Sequence, residues 1–148
     1  MIRGAVPGDE PAIRNCAKAA FAPYITRIGR KPAPMLADYA AQIAAGQVYV
    51  TENESGAFQG FVAFYPRGEA MLLDIVAVRP EVAGRGVGKA LITYCEDEAR
   101  QQGLASVQLY TNAAMSENRT LYPHLGYVET GLRREDGFDR VYFEKKLR

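Results

Sequence analysis

The sequence predicts a mixed α/β fold, with about seven strands and about four helices in the order β-α-α-β-β-β-α-β-α-β-β and helices on both faces of one sheet. Three observations carry that reading. Apolar residues recur at helical spacing in separate stretches, others alternate or run continuously over strand lengths, and glycine, proline, Asn or Asp stands at the junctions.

The elements follow in order. A short strand is expected around Ile2–Val6, then a helix opened by Asp9 and Pro11, whose missing N–H does no harm in a first turn. Ile13, Cys16, Ala17, Ala20 and Phe21 line one face of that helix. A basic, proline-containing loop runs from Arg27 to Pro34. A second helix carries Leu36, Tyr39, Ala40, Ile43 and Ala44 on one side and stops at Gly46. Strands are expected at Val48–Glu52, Phe58–Tyr65 and Ala70–Val78, with turns at Asn53–Gly56 and Pro66–Gly68 between them. The last of these is nearly all apolar, as suits a central strand covered on both faces. The next helix places Val87, Ala90, Leu91, Tyr94 and Cys95 on one side, with Lys89, Glu96, Asp97 and Arg100 largely opposite, and ends at Gly103. Val107, Leu109 and Thr111 alternate with Gln108 and Tyr110, the pattern of a strand. A short helix around Ser116–Leu125 stops at Gly126. Strands near Tyr127–Leu132 and Asp139–Lys146 then flank an Asp136-Gly137 turn.

The 148 residues suffice for one domain spanning 1–148, with no repeat, linker or low-complexity segment. Hydrophobic residues make up 48% and charged residues 24%, the balance of a soluble globular protein. A net charge of +1 supplies no global field for nucleic acid or an anionic membrane. No apolar stretch is long enough to span a bilayer, and the N-terminal residues lack the apolar run of a signal peptide. Cys16 and Cys95 have no metal-ligand spacing and sit among apolar residues, so buried free thiols and a cytoplasmic location are expected. A monomer or homodimer is expected.

Chemistry concentrates in two segments. Gly84-Arg85-Gly86-Val87-Gly88-Lys89 joins the buried strand to an amphipathic helix. Glycines there let the main chain approach a ligand, and the first helical turn presents unpaired N–H groups and a positive dipole end. Together these suit phosphate. A tight turn needing glycine only for its backbone is the plainer alternative, made less attractive by the three alternating glycines beside Arg85 and Lys89. A nucleotide P-loop fails because Ala83 replaces its first glycine and Ala90 its magnesium-holding hydroxyl. The dinucleotide fingerprint fails on spacing.

The turn resembles the coenzyme A pyrophosphate loop of the GNAT superfamily of N-acetyltransferases, whose pattern Gln/Arg-x-x-Gly-x-Gly/Ala is met by Arg85-Gly86-Val87-Gly88 after the strand end Val76-Ala77-Val78-Arg79-Pro80. Ala83 departs from the family's Gln or Arg. The second segment, Thr111 to Tyr127, resembles the family's C-terminal signature Leu-Tyr-x-x-Leu-Gly-Phe/Tyr through Leu121, Tyr122, Leu125, Gly126 and Tyr127. Met115 stands where the family commonly has asparagine.

The resemblance covers nearly the whole chain. It implies a central mixed, mostly antiparallel sheet and transfer of an acetyl group from acetyl-coenzyme A, as co-substrate, to a primary amine of a small molecule or peptide in a ternary complex. Val76, Ala77, Val78, Ala83, Gly84, Arg85, Gly86, Val87, Gly88 and Lys89 are then cofactor contacts, and Tyr122 the acid that protonates the departing thiolate; Asn118, one helical turn before Tyr122 and so on its face, is a further candidate cofactor contact. Without the resemblance, Tyr122 reads as a core aromatic of a short helix. Asp74, interrupting the apolar strand, is the candidate base, since burial raises a carboxyl pKa; an ion-paired or loop-capping Asp is the alternative. Glu69 is a weaker candidate. Arg30 and Lys31, in the loop where the resemblance puts an acceptor wall, suit an anionic acceptor, and they equally suit a solvated basic loop. His124, the only histidine, reads as an exposed helix residue. A sensor that binds acyl-coenzyme A without turning it over is the alternative function.

Overall fold

A computed structural model describes residues 1–147. The strands are β1 (Ile2–Gly4), β2 (Val48–Glu52), β3 (Phe58–Arg67), β4 (Ala70–Val78), β5 (Ser106–Asn112), β6 (Val128–Glu135) and β7 (Phe138–Lys146). The α-helices are α1 (Glu10–Phe21), α2 (Ile25–Ile28), α3 (Tyr39–Ala44), α4 (Val87–Gln101) and α5 (Ser116–His124). All seven strands form one sheet in the order β1-β2-β3-β4-β5-β7-β6, antiparallel at every step except the parallel β4–β5 pair.

Each sheet face has its own core. On one, Leu91, Ile92, Cys95 and Ala99 of α4 and Tyr122 of α5 pack on Val62, Phe64, Leu73, Leu109, Val141 and Phe143. On the other, Ile13, Cys16 and Ala17 of α1 and Tyr39 and Ile43 of α3 pack on Val50, Phe61, Ala63, Ile75 and Ala77. Both cysteines are buried and free.

Strand β4 explains its own continuous hydrophobicity. Ala63 pairs with Ile75 and Phe64 with Leu73, so Asp74 is an extra residue, a bulge against β3. Strict alternation would keep Met71, Leu73, Ile75 and Ala77 on one face. The bulge reverses the alternation instead: Met71 and Leu73 face α4, Ile75 and Ala77 face α1 and α3, and Val76 and Val78 return to the α4 side.

The parallel ladder between β4 and β5 covers only Ala70–Leu73 against Ser106–Leu109. Beyond it both strands continue, to Val78 and Asn112, without pairing to each other. The sheet therefore splays open just where the bulge begins. A strand edge left unpaired in this way carries main-chain donors and acceptors that seek partners.

Several expectations shift. The second predicted helix shrinks to Tyr39–Ala44, capped by the Asp38 side chain accepting from the Ala41 amide at 3.1 Å, while Leu36 is left outside it and exposed. The Arg27–Pro34 loop opens on the last two residues of the helical turn α2 and closes on the start of a 3-10 turn at Ala33–Met35. Pro66 belongs to β3, which runs to Arg67. Glu96 leaves the polar face of α4: it is buried, accepting from the Tyr127 hydroxyl at 2.8 Å and pairing with Lys145 at 3.1 Å.

Candidate active site

A cavity of about 540 Å³ occupies the gap between β4 and β5. Asp74, Val76, Ala77 and Val78 line one wall, Tyr110, Thr111 and Asn112 the other, with Gly88 and Lys89 of α4, Asn118 and Tyr122 of α5, and Phe138 and Arg140 of β7 closing it. It thus runs from the start of α4 at one end to the bulge at the other.

At the α4 end, Gly84 and Gly86 hold φ of +81° and +82°, a region that L side chains rarely adopt. A Cβ built on either meets nothing within 4 Å, so the loop faces open space. Gly86 is the N-cap of α4, no side chain caps the helix, and its first turn holds no carboxylate. The leading N–H groups of α4 therefore have no competing anion, and Arg85 and Lys89 add positive charge. A cradle of this kind fits the diphosphate of coenzyme A, and the unpaired edge of β4 fits an extended amide-containing arm. Val76, Ala77, Val78, Gly88 and Lys89 line the cavity, whereas Ala83, Gly84, Arg85, Gly86 and Val87 form the loop leading into it. Ala83 contributes no long polar side chain there.

Tyr122 lies in the last turn of α5, directly before Pro123. Its position follows from Gly126. Gly126, at φ +95°, donates its amide to the Pro123 carbonyl, and the Tyr127 amide donates to the Tyr122 carbonyl, both at 3.0 Å. These two bonds are a Schellman end, which needs glycine at the left-handed position and an apolar residue after it. The Leu-Gly-Tyr part of the signature is thus the device that pins Tyr122. Its ring packs edge-on against Tyr127 at 5.7 Å and tilted against Phe143 at 5.6 Å. The Tyr122 hydroxyl bonds no side chain or main chain among the described residues and borders the cavity, and burial pushes its pKa up to about 12.

Asn118 lines the same wall, its amide donating to Thr111 Oγ1 at 2.8 Å. Met115 also lines the cavity and takes the long contact from Asn118 on sulfur, at 3.8 Å.

At the far end, Asp74 accepts from Gln42 Nε2 at 3.0 Å and from the Tyr110 hydroxyl at 3.3 Å. Burial raises its pKa, opposed by those two bonds and by Arg140 and Arg67. Desolvation also lifts Tyr110, to about 12, so its hydroxyl remains a proton donor to Asp74. Gln42 Oε1 is buried without a partner among the described residues. Asp74 thus has two donors for the roughly four lone-pair sites of its carboxylate and keeps acceptor capacity in the cavity it lines.

Arg30 and Lys31 do not line the cavity. Arg30 stacks on Phe138 at 3.8 Å, with Phe138 between it and the interior, and donates to the Asp136 carbonyl. The cation that lines the cavity at this end is Arg140, which sequence reasoning passed over along with Tyr110 and Gln42. In the β5–β7 register Tyr110 pairs with Tyr142 and Arg140 with Asn112, so Tyr110, Arg140 and Tyr142 share the sheet face away from Thr111, Val141 and Phe143. Glu69, by contrast, stands outside the cavity in the turn before β4, and His124 is exposed.

Comparison with known proteins agrees with this architecture. The ribosomal protein bS18-alanine N-acetyltransferase of Escherichia coli is 36% identical over 66 residues, 45% of this chain and 44% of that protein. The chain thus aligns with under half the length of the curated relatives it matches. The crystal structure of the Escherichia coli ribosomal-protein-S18-alanine N-acetyltransferase superposes with a TM-score of 0.78 at 22% identity, over 99% of this chain and 93% of that one. The PaiA N-acetyltransferase of Thermoplasma acidophilum, in complex with coenzyme A, superposes with a TM-score of 0.78 at 17% identity, over 99% and 98%. These likenesses establish the fold. Residues 44–129, more than half of the chain, match the family model described as an acetyltransferase (GNAT) domain, and the chain belongs to that family.

Proposed function

We propose that this protein transfers the acetyl group of acetyl-coenzyme A to a primary amine, by direct attack of the amine within a ternary complex. The observation that carries the reading is the continuity of one cavity from the uncapped start of α4 to Tyr122 and Asp74. An anion cradle alone would serve a sensor; a proton donor and a proton acceptor in the same space serve a transfer.

Acetyl-coenzyme A supplies an acyl carbon activated by its thioester and a thiol as leaving group. The chain's residues do the rest. The loop Gly84–Lys89 holds the diphosphate through main-chain N–H groups. The free edge of β4 from Asp74 to Val78 orients the arm and offers an N–H toward the thioester oxygen as it gains charge. An alkyl ammonium of pKa about 10.4 needs about 4.6 kcal/mol to lose its proton at pH 7, and an α-amine of about 7.8 needs about 1. Asp74, with its raised pKa and spare acceptor capacity, takes that proton. Tyr122, neutral at every working pH, gives one to the sulfur.

The acceptor of the aligned relative named above is a protein alanine amine, and both peptide and small-molecule amines suit the cavity of this chain. The test is release of free thiol from acetyl-coenzyme A across a library of amines and peptide N-termini. Acetylated product and stoichiometric thiol are expected. Binding of acetyl-coenzyme A with no thiol released by any amine would replace this reading with that of a sensor.

A further inference from the structure

We propose that the acceptor carries a carboxylate as well as an amine, and that Arg140 is the residue that selects it. The proposal rests on the acetyl-transfer reading and names its substrate class.

Arg140 is 9% exposed and lines the cavity. Its guanidinium lies over the Tyr110 ring at 4.4 Å and nearer the edge of Phe138 at 5.7 Å. Only one of its nitrogens is engaged: Nη1 contacts Glu135 Oε1 at 3.5 Å and Asp136 Oδ2 at 3.4 Å. Both contacts are long, Asp136 is mostly exposed, and Glu135 also accepts from the Tyr142 hydroxyl. Nε and Nη2 donate to no described residue. Those two nitrogens keep some exposure to the cavity, so the unmet part of the fork is open to a ligand that enters it. A carboxylate meets it with two parallel bonds, the geometry for which arginine is preorganised.

The same tyrosine holds the opposite charge. Tyr110 donates to Asp74 Oδ1 through its hydroxyl and carries Arg140 on its ring face. One aromatic ring thus separates a carboxylate from a guanidinium with Nε and Nη2 still free of described partners, inside one cavity. That pair is the complement of a zwitterion: an ammonium beside Asp74, whose carboxylate accepts from Gln42 Nε2 and the Tyr110 hydroxyl and keeps lone pairs to spare, and a carboxylate on Arg140. Phe21, Tyr24 and Phe138 supply apolar wall around it. Arg30, outside Phe138, adds positive potential at the rim, while Arg27 there is paired to Glu117 at 2.6 Å.

The experiment uses the full chain with acetyl-coenzyme A and measures thiol release for matched pairs: glycine and glycinamide, β-alanine and its amide, γ-aminobutyrate and its amide, and the dipeptides Ala-Glu and Ala-Gln. For the α-amino pair, the amide lowers amine basicity and so favours itself chemically; a preference for the acid must come from recognition. The best pair should favour the acid in kcat/KM by about 10- to 100-fold, the range of a charge-assisted contact. Arg140→Gln should bring that ratio near one, and Arg140→Lys should restore part of it. Equal or better use of every amide, or an unchanged ratio in a folded Arg140→Gln protein, overturns the proposal and leaves acetyl transfer standing. If Arg140→Gln does not fold, inhibition of the unaltered protein by butanoate against butanamide decides: inhibition by both alike, or by neither, rejects the carboxylate site. Absence of thiol release with every amine, while acetyl-coenzyme A still binds, removes the transfer reading and this proposal with it.

Discussion

The Tyr122 hydroxyl combines a fixed ring with a free polar end, which is what a proton donor in a cavity needs. Tyr122→Phe removes the hydroxyl and keeps the packing on Tyr127 and Phe143, so the fold and the affinity for acetyl-coenzyme A should change little. The rate constant kcat should fall by about 10²–10⁴-fold if the chemical step limits turnover. Because burial moves the phenol to about 12, its alkaline limb lies beyond the range an ordinary tyrosine near 10 would give. A rate profile that falls with a midpoint near 10, and loses that limb in the Phe variant, would contradict the buried position. Asp74 gives the opposite signature. A carboxyl whose pKa is higher in the folded chain than in the unfolded one stabilises the fold below the unfolded value, and that contribution is lost as pH rises through the folded value. At pH 7 ionised Asp74 therefore weakens the fold relative to a neutral isostere. Asp74→Asn should melt at the same temperature or higher, while transfer to alkyl amines drops by about 10²-fold or more and the acidic limb of the pH profile disappears. A lower melting temperature with full activity would make Asp74 a structural residue.

At the scale of elements, the two glycine-marked junctions were legible because each glycine answers a backbone demand. Gly126 occupies the left-handed position of the Schellman end, and Gly86 the left-handed N-cap of α4. The extent of most strands was legible too, since two-residue alternation and turn chemistry are local properties. What was not legible needed partners distant in sequence. Arg140 and Tyr110 were not singled out because nothing in the chain announces that β4 and β5 part after four pairs. Glu96 read as solvent-facing because its partners, Tyr127 and Lys145, lie 31 and 49 residues away. The bulge at Asp74 was hidden for the same reason: it is a property of the β3–β4 register. The loop before α4 offers a controlled test. Gly86 and Gly46 have φ of +82° and +72°, and an added Cβ at either meets no protein atom within 4 Å. Ala at each should cost about 1 kcal/mol of stability through backbone strain alone. Only Gly86→Ala should also weaken binding of coenzyme A, by tenfold or more, as read by isothermal titration. Equal affinities for the two variants would reduce Gly84–Gly88 to a turn.

At the scale of the molecule, the parallel β4–β5 ladder is, among the described residues, the only strand pairing that joins the β1–β4 half of the sheet to the β5–β7 half. The cavity takes its walls from both halves, with α4 at one end. A ligand that fills it adds to the four strand pairs and the core beneath α4 and α5 that join the two halves. Binding to the folded state alone stabilises by about 2.7 kcal/mol at a ligand concentration of 100 times Kd, which corresponds to a rise in Tm of roughly 5–10 °C for a chain of this size. Acetyl-coenzyme A should produce that rise, and ATP with magnesium clearly less, since no hydroxyl follows Lys89. The pattern of protection is more telling than its size. Amide exchange should slow at the first turn of α4 and along Asp74–Val78, where the edge of β4 gains a partner, and stay unchanged in the exposed edge strand β6. Adenosine 3′,5′-bisphosphate, which lacks the extended arm, should leave Asp74–Val78 exchanging as in the free protein. If that fragment protects β4 as fully as acetyl-coenzyme A does, the arm is not lying against β4, and the route from the phosphate cradle to Tyr122 and Asp74 must run elsewhere.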